Sequence, residues 1–206
     1  MKPSSTSKSN RFDLIAPWYD FIGKLVFGNS IIKSQSYFIL EIKELDEVLI
    51  LGGGTGKLLS QMPKCKEIRF IDLSQKMIDS AKKRECKSPI TFTQSDFLID
   101  DFKSTYDIII CPFFLDCFDE AHLKEAILKV KNLLKEDGKL IVTDFQQTNG
   151  NKFLLKLMHY FFKIFASLES KRLKSIHQEV ELVGFSEVES KYFYRNMIFS
   201  RLYGNL

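Results

Sequence analysis

Apolar residues recur along this chain in two rhythms. Over residues 11–45 the spacing is helical: Phe12, Ile15 and Tyr19 fall at i, i+3 and i+7, and Ile32, Tyr37, Ile39, Leu40 and Leu45 follow. From 46 to 145 short, nearly continuous apolar runs alternate with helical stretches. The runs Glu47–Leu51, Ile68–Ile71, Ile90–Thr93, Tyr106–Ile110 and Lys139–Thr143 predict strands of a parallel sheet covered on both faces. Leu123, Ile127, Val130 and Leu134 predict a helix over 119–135, and Asp137-Gly138 predicts a turn before the fifth strand. Beyond 146 the pattern predicts helices over 151–166 and 168–182, the second closed by Gly184. Two closing strands follow, Val188–Phe193 and Met197–Tyr203, joined by a turn at Arg195-Asn196. No internal repeat and no low-complexity linker divides the chain.

Composition narrows the class. A chain of 206 residues, 45% hydrophobic, supports one domain with a full core. We expect a polar, disordered tail over 1–10 and one domain over 11–206, with leading helices (11–45), a central core (46–145), and cap helices with closing strands (146–206). A net charge of +4 is weak for a nucleic-acid coat. The cysteines at 65, 86, 111 and 117 form no C-x-x-C pair and stand far from the three histidines, so we expect free thiols, no metal site and a reducing cytoplasm. No signal-peptide h-region opens the chain, and no apolar run reaches the roughly 18 residues a membrane span needs.

The informative stretch is Val48-Leu49-Ile50-Leu51-Gly52-Gly53-Gly54-Thr55-Gly56-Lys57-Leu58-Leu59, a strand running into glycines and then a helix. A phosphate-binding G-x-x-x-x-G-K-[ST] loop fails at Leu51 and Leu58, and the dinucleotide pattern G-x-G-x-x-G fails at Lys57. G-x-G-x-G remains, on Gly52, Gly54 and Gly56. Asp72 follows the second strand, where a carboxylate can accept from both hydroxyls of a ribose. A helix-capping acid is the structural alternative, with Asp72 or Ser74 as cap. Asp96 follows the third strand, where it can accept from an adenine amino group or serve as a turn residue.

Gly52–Gly56, Ile71-Asp72-Leu73-Ser74-Gln75-Lys76-Met77, Gln94-Ser95-Asp96-Phe97, Tyr106–Ile110 and Leu133–Leu140 together resemble the class I S-adenosylmethionine-dependent methyltransferases. The resemblance covers roughly 46–145. More loosely, Phe12-Asp13-Leu14-Ile15-Ala16-Pro17-Trp18-Tyr19-Asp20 resembles the leading helix of the ubiquinone/menaquinone-biosynthesis type. The resemblance implies that Gly52, Gly53 and Gly54 face the methionine and ribose parts of the cofactor. It implies further that Asp72 holds the ribose, Leu73 and Met77 pack beside the nucleoside, Asp96 and Phe97 frame the adenine, and Cys111 lines the end of the fourth strand with Pro112-Phe113. For Met77 a plain packing role is the alternative. The family often carries an acid two positions before the first glycine; this chain has Ile50 there.

The expected fold is α/β: a Rossmann-like, doubly wound, seven-stranded sheet, mostly parallel with an antiparallel last strand and helices on both faces. The expected activity is methyl transfer from S-adenosylmethionine to a small molecule, giving S-adenosylhomocysteine. No catalytic triad is required, and none is present. Tyr19, Asp116 and His159 are the candidates for a base, each with a structural alternative. Lys152, Lys156, His159 and Lys163 form one polar stripe on an otherwise apolar helix, and residues 150–175 hold six Lys/Arg against one Glu. Cap packing explains such a helix; a lipophilic acceptor or contact with a membrane surface is the functional reading. Of the 27 aromatic residues, 9 lie in 46–145 and 18 in the flanks, where the resemblance puts the acceptor pocket, which suggests an apolar or aromatic acceptor. A non-catalytic binder of the same cofactor and a nicotinamide-dependent oxidoreductase stand as alternatives. A nucleic-acid methyltransferase is disfavoured by Cys111-Pro112-Phe113-Phe114, which replaces an Asn/Asp-Pro-Pro-Tyr motif.

Overall fold

The computed structural model describes residues 24–146 and 176–205. Seven strands form one sheet: β1 Glu47–Leu51, β2 Glu67–Asp72, β3 Ile90–Gln94, β4 Tyr106–Pro112, β5 Leu134–Phe145, β6 Phe185–Phe193 and β7 Ile198–Asn205. Their order is β3-β2-β1-β4-β5-β7-β6. The first five pair in parallel, and β7 runs antiparallel to both neighbours. The expected doubly wound sheet with an antiparallel last strand is therefore the observed one.

Continuous apolar runs form these strands because both faces are covered. In β1, Val48 to Leu51 are all fully buried. Leu49 and Leu51 pack with Ile109, Cys111, Leu140 and Val142 under helices α3 (Glu120–Leu133) and α4 (Ile176–Leu182). Val48 and Ile50 point the other way, toward Phe38, Ile39, Leu58, Leu59, Ile78 and Ala81. Apart from Phe38, which precedes the first of them, those residues come from the 3₁₀ turns Ile39–Glu41 and Lys57–Gln61 and from helix α2 (Gln75–Ala81). Asp119 caps α3, its carboxylate accepting from His122 N at 3.0 Å. Gly184, at φ +94°, ends α4 as its position in the sequence predicts. Lys131 reaches across from α3 and donates to the carbonyls of Val183 and Gly184, at 3.0 Å each.

Four local expectations are revised. Asp137-Gly138 does not break the chain before the fifth strand. β5 runs through it from Leu134, and the register against β4 slips between the Tyr106 and Ile108 pairings. The glycine loop leads into a 3₁₀ turn, Lys57–Gln61, because Met62 before Pro63 takes extended backbone (ψ 132°) and stops the helix. The helical spacing of residues 30–45 is divided between helix α1 (Ser30–Gln35) and the turn Ile39–Glu41, which leaves Leu40 and Leu45 86% and 82% exposed. Val188, expected to begin a closing strand, sits inside β6 and is exposed on this edge strand. The turn at Arg195-Asn196 is present, with Tyr194, Arg195 and Asn196 all at positive φ. The segment 12–20, the helix expected over 151–166 with its basic stripe, Tyr19 and His159 lie outside the described residues.

The strand order reverses between β1 and β4. Their carboxyl ends carry Gly52–Gly56 on one side and Pro112–Phe114 on the other. In open α/β sheets this crevice is where ligands bind. Among the described residues no helix is long and apolar enough to cross a membrane, and no group of three or more His, Cys, Asp or Glu gathers as a metal site.

Candidate functional site

The glycines of the loop are required for different reasons. Gly52 (φ +66°) lies beneath the Phe114 ring: a Cβ there would fall 2.6 Å from Phe114 Cδ2. At Gly53 a Cβ would fall 2.2 Å from Phe70 Cε2, and at Gly56 (φ +72°) 2.7 Å from the Cβ of Ala81. Gly54 (φ +57°) faces open space, with nothing within 4 Å of a Cβ. Three positions are glycine because neighbouring side chains fill the space. Gly54 needs its backbone angle and leaves its own surface bare for a ligand.

Asp72 ends β2 and holds this loop. Its Oδ2 accepts from Gly54 N at 2.8 Å and its Oδ1 accepts from Ser74 N at 2.9 Å. The capping alternative is resolved in favour of Ser74, whose Oγ accepts from Met77 N at 3.2 Å as N-cap of α2. Asp72 is half-buried, and a carboxylate oxygen can accept from more than one donor. Arg84 fastens the loop from the far end of α2, donating from Nε to Thr55 O at 3.1 Å.

Asp96 lies beside this acid, since Ser95 N donates to Asp72 O at 3.1 Å. Its own carboxylate accepts from Leu98 N at 3.1 Å, the geometry of a turn acid. Leu73 is half-buried, and its carbonyl accepts from the Gln94 side chain at 3.2 Å. Met77 and Phe97 are buried. The Phe97 ring meets Phe102 and Phe114 edge-on, with centroids 5.5 and 5.7 Å away. Cys111 is wholly buried beneath β4's end, and burial pushes its thiol far above the usual range, so it is neutral. Ile50 is likewise wholly buried, its side chain on the face opposite α3.

Asp116 belongs to a 3₁₀ turn, Leu115–Cys117, directly after β4. Its backbone N donates to Asp144 Oδ2 at 3.2 Å, while Asp144 Oδ1 accepts from Phe145 N at 2.9 Å. Asp144 is fully buried at the carboxyl end of β5. Burial pushes the Asp116 carboxyl up to about 6. Burial, then the Asp116 charge, pushes Asp144 well above the carboxylate range. Cys117, whose Sγ lies 3.5 Å from Asp116 Oδ1, is held neutral by its own burial and by the charges of Asp116, Asp144 and Asp72. The contacts link Gly54 to Asp72, Asp72 to Ser95 beside Asp96, and Gly52 through the Phe114 ring to Phe97, all beyond the carboxyl ends of the strands. Sequence reasoning missed Asp144 and Phe114. The available signal was an acid closing an otherwise apolar strand, Leu140-Ile141-Val142-Thr143-Asp144, at the ligand-binding edge.

The backbone turns sharply at Phe113, a non-glycine residue at φ +55°, whose N donates to Thr143 O at 2.7 Å. Its ring joins Phe145 (4.7 Å between centroids) in an aromatic cluster with Phe27, Tyr194 and Met197. This cluster stands at the carboxyl ends of β4 and β5.

Residues 48–138 match the family model described as a methyltransferase domain. The chain is 26% identical over 164 residues to a demethylmenaquinone methyltransferase of Thermotoga maritima, covering 74% of this chain and 67% of the relative. It is 24% identical over 165 residues to a ubiquinone/menaquinone biosynthesis C-methyltransferase of Geotalea uraniireducens, covering 74% and 69%. Among solved structures, magnesium protoporphyrin IX methyltransferase from Synechocystis with bound S-adenosylhomocysteine superposes with a TM-score of 0.72 at 15% identity, covering 98% of this chain and 100% of that one.

Proposed function

We propose small-molecule methylation for this chain, which carries the fold and the domain of the class I S-adenosylmethionine-dependent methyltransferases and is loosely similar to the ubiquinone/menaquinone-biosynthesis type. The observation that carries the proposal is the Asp72–Gly54 hydrogen bond, which sets a half-buried carboxylate beside bare backbone at the topological switch point. That pairing suits a nucleoside whose ribose hydroxyls donate to Asp72 while its remaining part lies along the loop. Gly52, Gly53 and Gly54 flank the methionine and ribose parts, and Leu73 and Met77 support the nucleoside. Asp96 and Phe97 frame the adenine, and Cys111 lies in the floor. S-adenosylmethionine, when bound, supplies an electrophilic methyl group on sulfur. The chain's own task is to align the acceptor in line with it and to exclude water.

Among the described residues, Asp116 is the candidate proton acceptor. A carboxyl raised to about 6 is mostly ionised at neutral pH yet basic enough to take a proton from an acidic hydroxyl. The aromatic cluster of Phe27, Phe113, Phe145 and Tyr194 supports an apolar or aromatic acceptor. We assign 11–206 to one domain. We assign the protein to the cytoplasm on its four unpaired cysteines, and propose no nucleic-acid substrate. A non-catalytic cofactor binder is the second reading. Ile50 favours it, since that buried side chain offers no charge to the cofactor's ammonium group.

Calorimetry with S-adenosylmethionine and S-adenosylhomocysteine tests the proposal. Micromolar binding and methylation of an aromatic acceptor are expected; no binding at millimolar concentration overturns it. Binding without methylation across a broad acceptor panel would select the second reading.

A further inference from the structure

The Phe113-Phe114 step brings together two observations that packing alone leaves unconnected. Phe113 holds a left-handed backbone (φ +55°), which a bulky side chain rarely adopts and which persists only where surrounding contacts impose it. Those contacts are the Phe113 N to Thr143 O hydrogen bond, the Phe113–Phe145 ring pair, and the hydrogen bond from Asp116 N to Asp144 just beyond. The consequence of the twist is to send consecutive rings to different clusters. Phe113 joins Phe27 and Phe145, while Phe114 joins Phe97 and Phe118. The Phe114 ring then covers Gly52 so closely that a single added methyl would strike it. Phe114 itself is only half-buried, so part of its ring faces away from the core it packs on.

We propose that Phe114 is a mobile wall that closes the methionine end of the cofactor site and must swing off Gly52 for the full cofactor to seat. This inference rests on the methyltransferase reading, which puts the methionine part of the cofactor over Gly52. The ring is held in the closed position by edge-on contacts with Phe97 (5.7 Å) and Phe118 (5.0 Å), and rotation exchanges those contacts for contact with the ligand. Phe114 thereby determines affinity at the amino-acid end of the cofactor, while Phe97 at the nucleoside end stays held by its edge-on contact with Phe102 (5.5 Å). A closed form outnumbering the open one by about ten to one weakens apparent affinity about tenfold.

The test is calorimetric titration of the wild type, Phe114→Ala and Phe114→Leu with S-adenosylhomocysteine and, separately, with adenosine. The expected result is that Phe114→Ala binds S-adenosylhomocysteine about tenfold more tightly than the wild type, with Phe114→Leu between them. Adenosine affinity should stay within about twofold in all three. Equal or weaker binding of S-adenosylhomocysteine by both variants, with wild-type binding intact, overturns the mobile wall and leaves the methyltransferase reading standing. A parallel gain for adenosine also overturns it, since Phe114 would then obstruct the nucleoside. Failure of all three proteins to bind either ligand overturns the reading and this inference together.

Discussion

Asp72 Oδ2 and the backbone N of Gly54 lie 2.8 Å apart, so the last residue of β2 holds the centre of the loop that leaves β1. The same carboxylate takes the backbone N of Ser74. One side chain therefore fixes the loop and the start of α2 before any ligand arrives.

Replacing Asp72 should act on binding and on stability together. Asp72→Ala leaves the N–H groups of Gly54 and Ser74 without this acceptor and should cost about 1–3 kcal/mol of folding stability. It should also lower S-adenosylhomocysteine affinity by more than tenfold. Asp72→Asn, which keeps one carbonyl acceptor, should recover much of the stability but little of the affinity. Urea unfolding and calorimetry on the same samples separate the two effects.

The loop glycines should sort by what their added methyl meets. Gly53→Ala drives a Cβ into the Phe70 ring and should destabilise by about 1–3 kcal/mol, an overpacking cost that Phe70→Leu partly relieves. Gly54→Ala meets no atom within 4 Å, so its folding cost is the left-handed backbone alone, about 1 kcal/mol. Its main effect should be on cofactor affinity. Thermal midpoints with and without S-adenosylhomocysteine check the contrast: Gly53→Ala lowers both, and Gly54→Ala chiefly abolishes the ligand-induced rise.

The Asp116–Asp144 pair gives stability a sign in pH. Both carboxyls have folded values raised above an unfolded value near 4, Asp116 to about 6, so the folded protein retains protons that the unfolded chain releases. Both contributions are fully present below about pH 4; that of Asp116 is lost as pH rises through about 6, and that of Asp144 is lost as pH rises through its own raised value. Asp116→Asn removes one acid and can donate an amide hydrogen to Asp144, so it should flatten the decline between pH 4 and 6. Urea midpoints at half-unit intervals measure this. An unchanged slope would show that the pair does not hold the extra proton.

Lys131 should matter to the fold and not to the site. Lys131→Met removes the donor to the carbonyls of Val183 and Gly184 and should cost about 1 kcal/mol at the end of α4. Cofactor affinity should be unchanged. Faster amide exchange confined to residues 176–184 would locate the effect.

What was legible follows from which interactions are local. Val48–Leu51 and Tyr106–Ile110 read as strands because a sheet covered on both faces needs continuous apolar runs, and the G-x-G-x-G spacing marked the loop whose backbone Asp72 is seen to hold. Tyr37, Leu40 and Leu45 misled, because helical spacing does not reveal that the chain breaks between α1 and the turn Ile39–Glu41. The roles of Gly52 and Gly53 were hidden for another reason. Their occupants, Phe114 and Phe70, come from β4's end and from β2, and only the assembled sheet brings them there. Asp144 was hidden by the end of its own strand, where Leu140, Ile141, Val142, Thr143 and Phe145 surround one acid.

β7 lies between β5 and β6 although it follows both in the chain. Its six residues Ile198–Tyr203 are all buried, and Phe145 pairs with Ile198 at the close of a long excursion. On the ribosome, then, β1 to β5 can assemble while β6 waits unpaired, since among the described residues its partner is the strand synthesised after it. Until Asn205 emerges, the outer edge of β5 stays open and Val142, Asp144 and their neighbours lack the strand that pairs with their backbone. The nascent chain passes through a stage with an unsealed hydrophobic edge, and closure of the sheet is a late, non-local step.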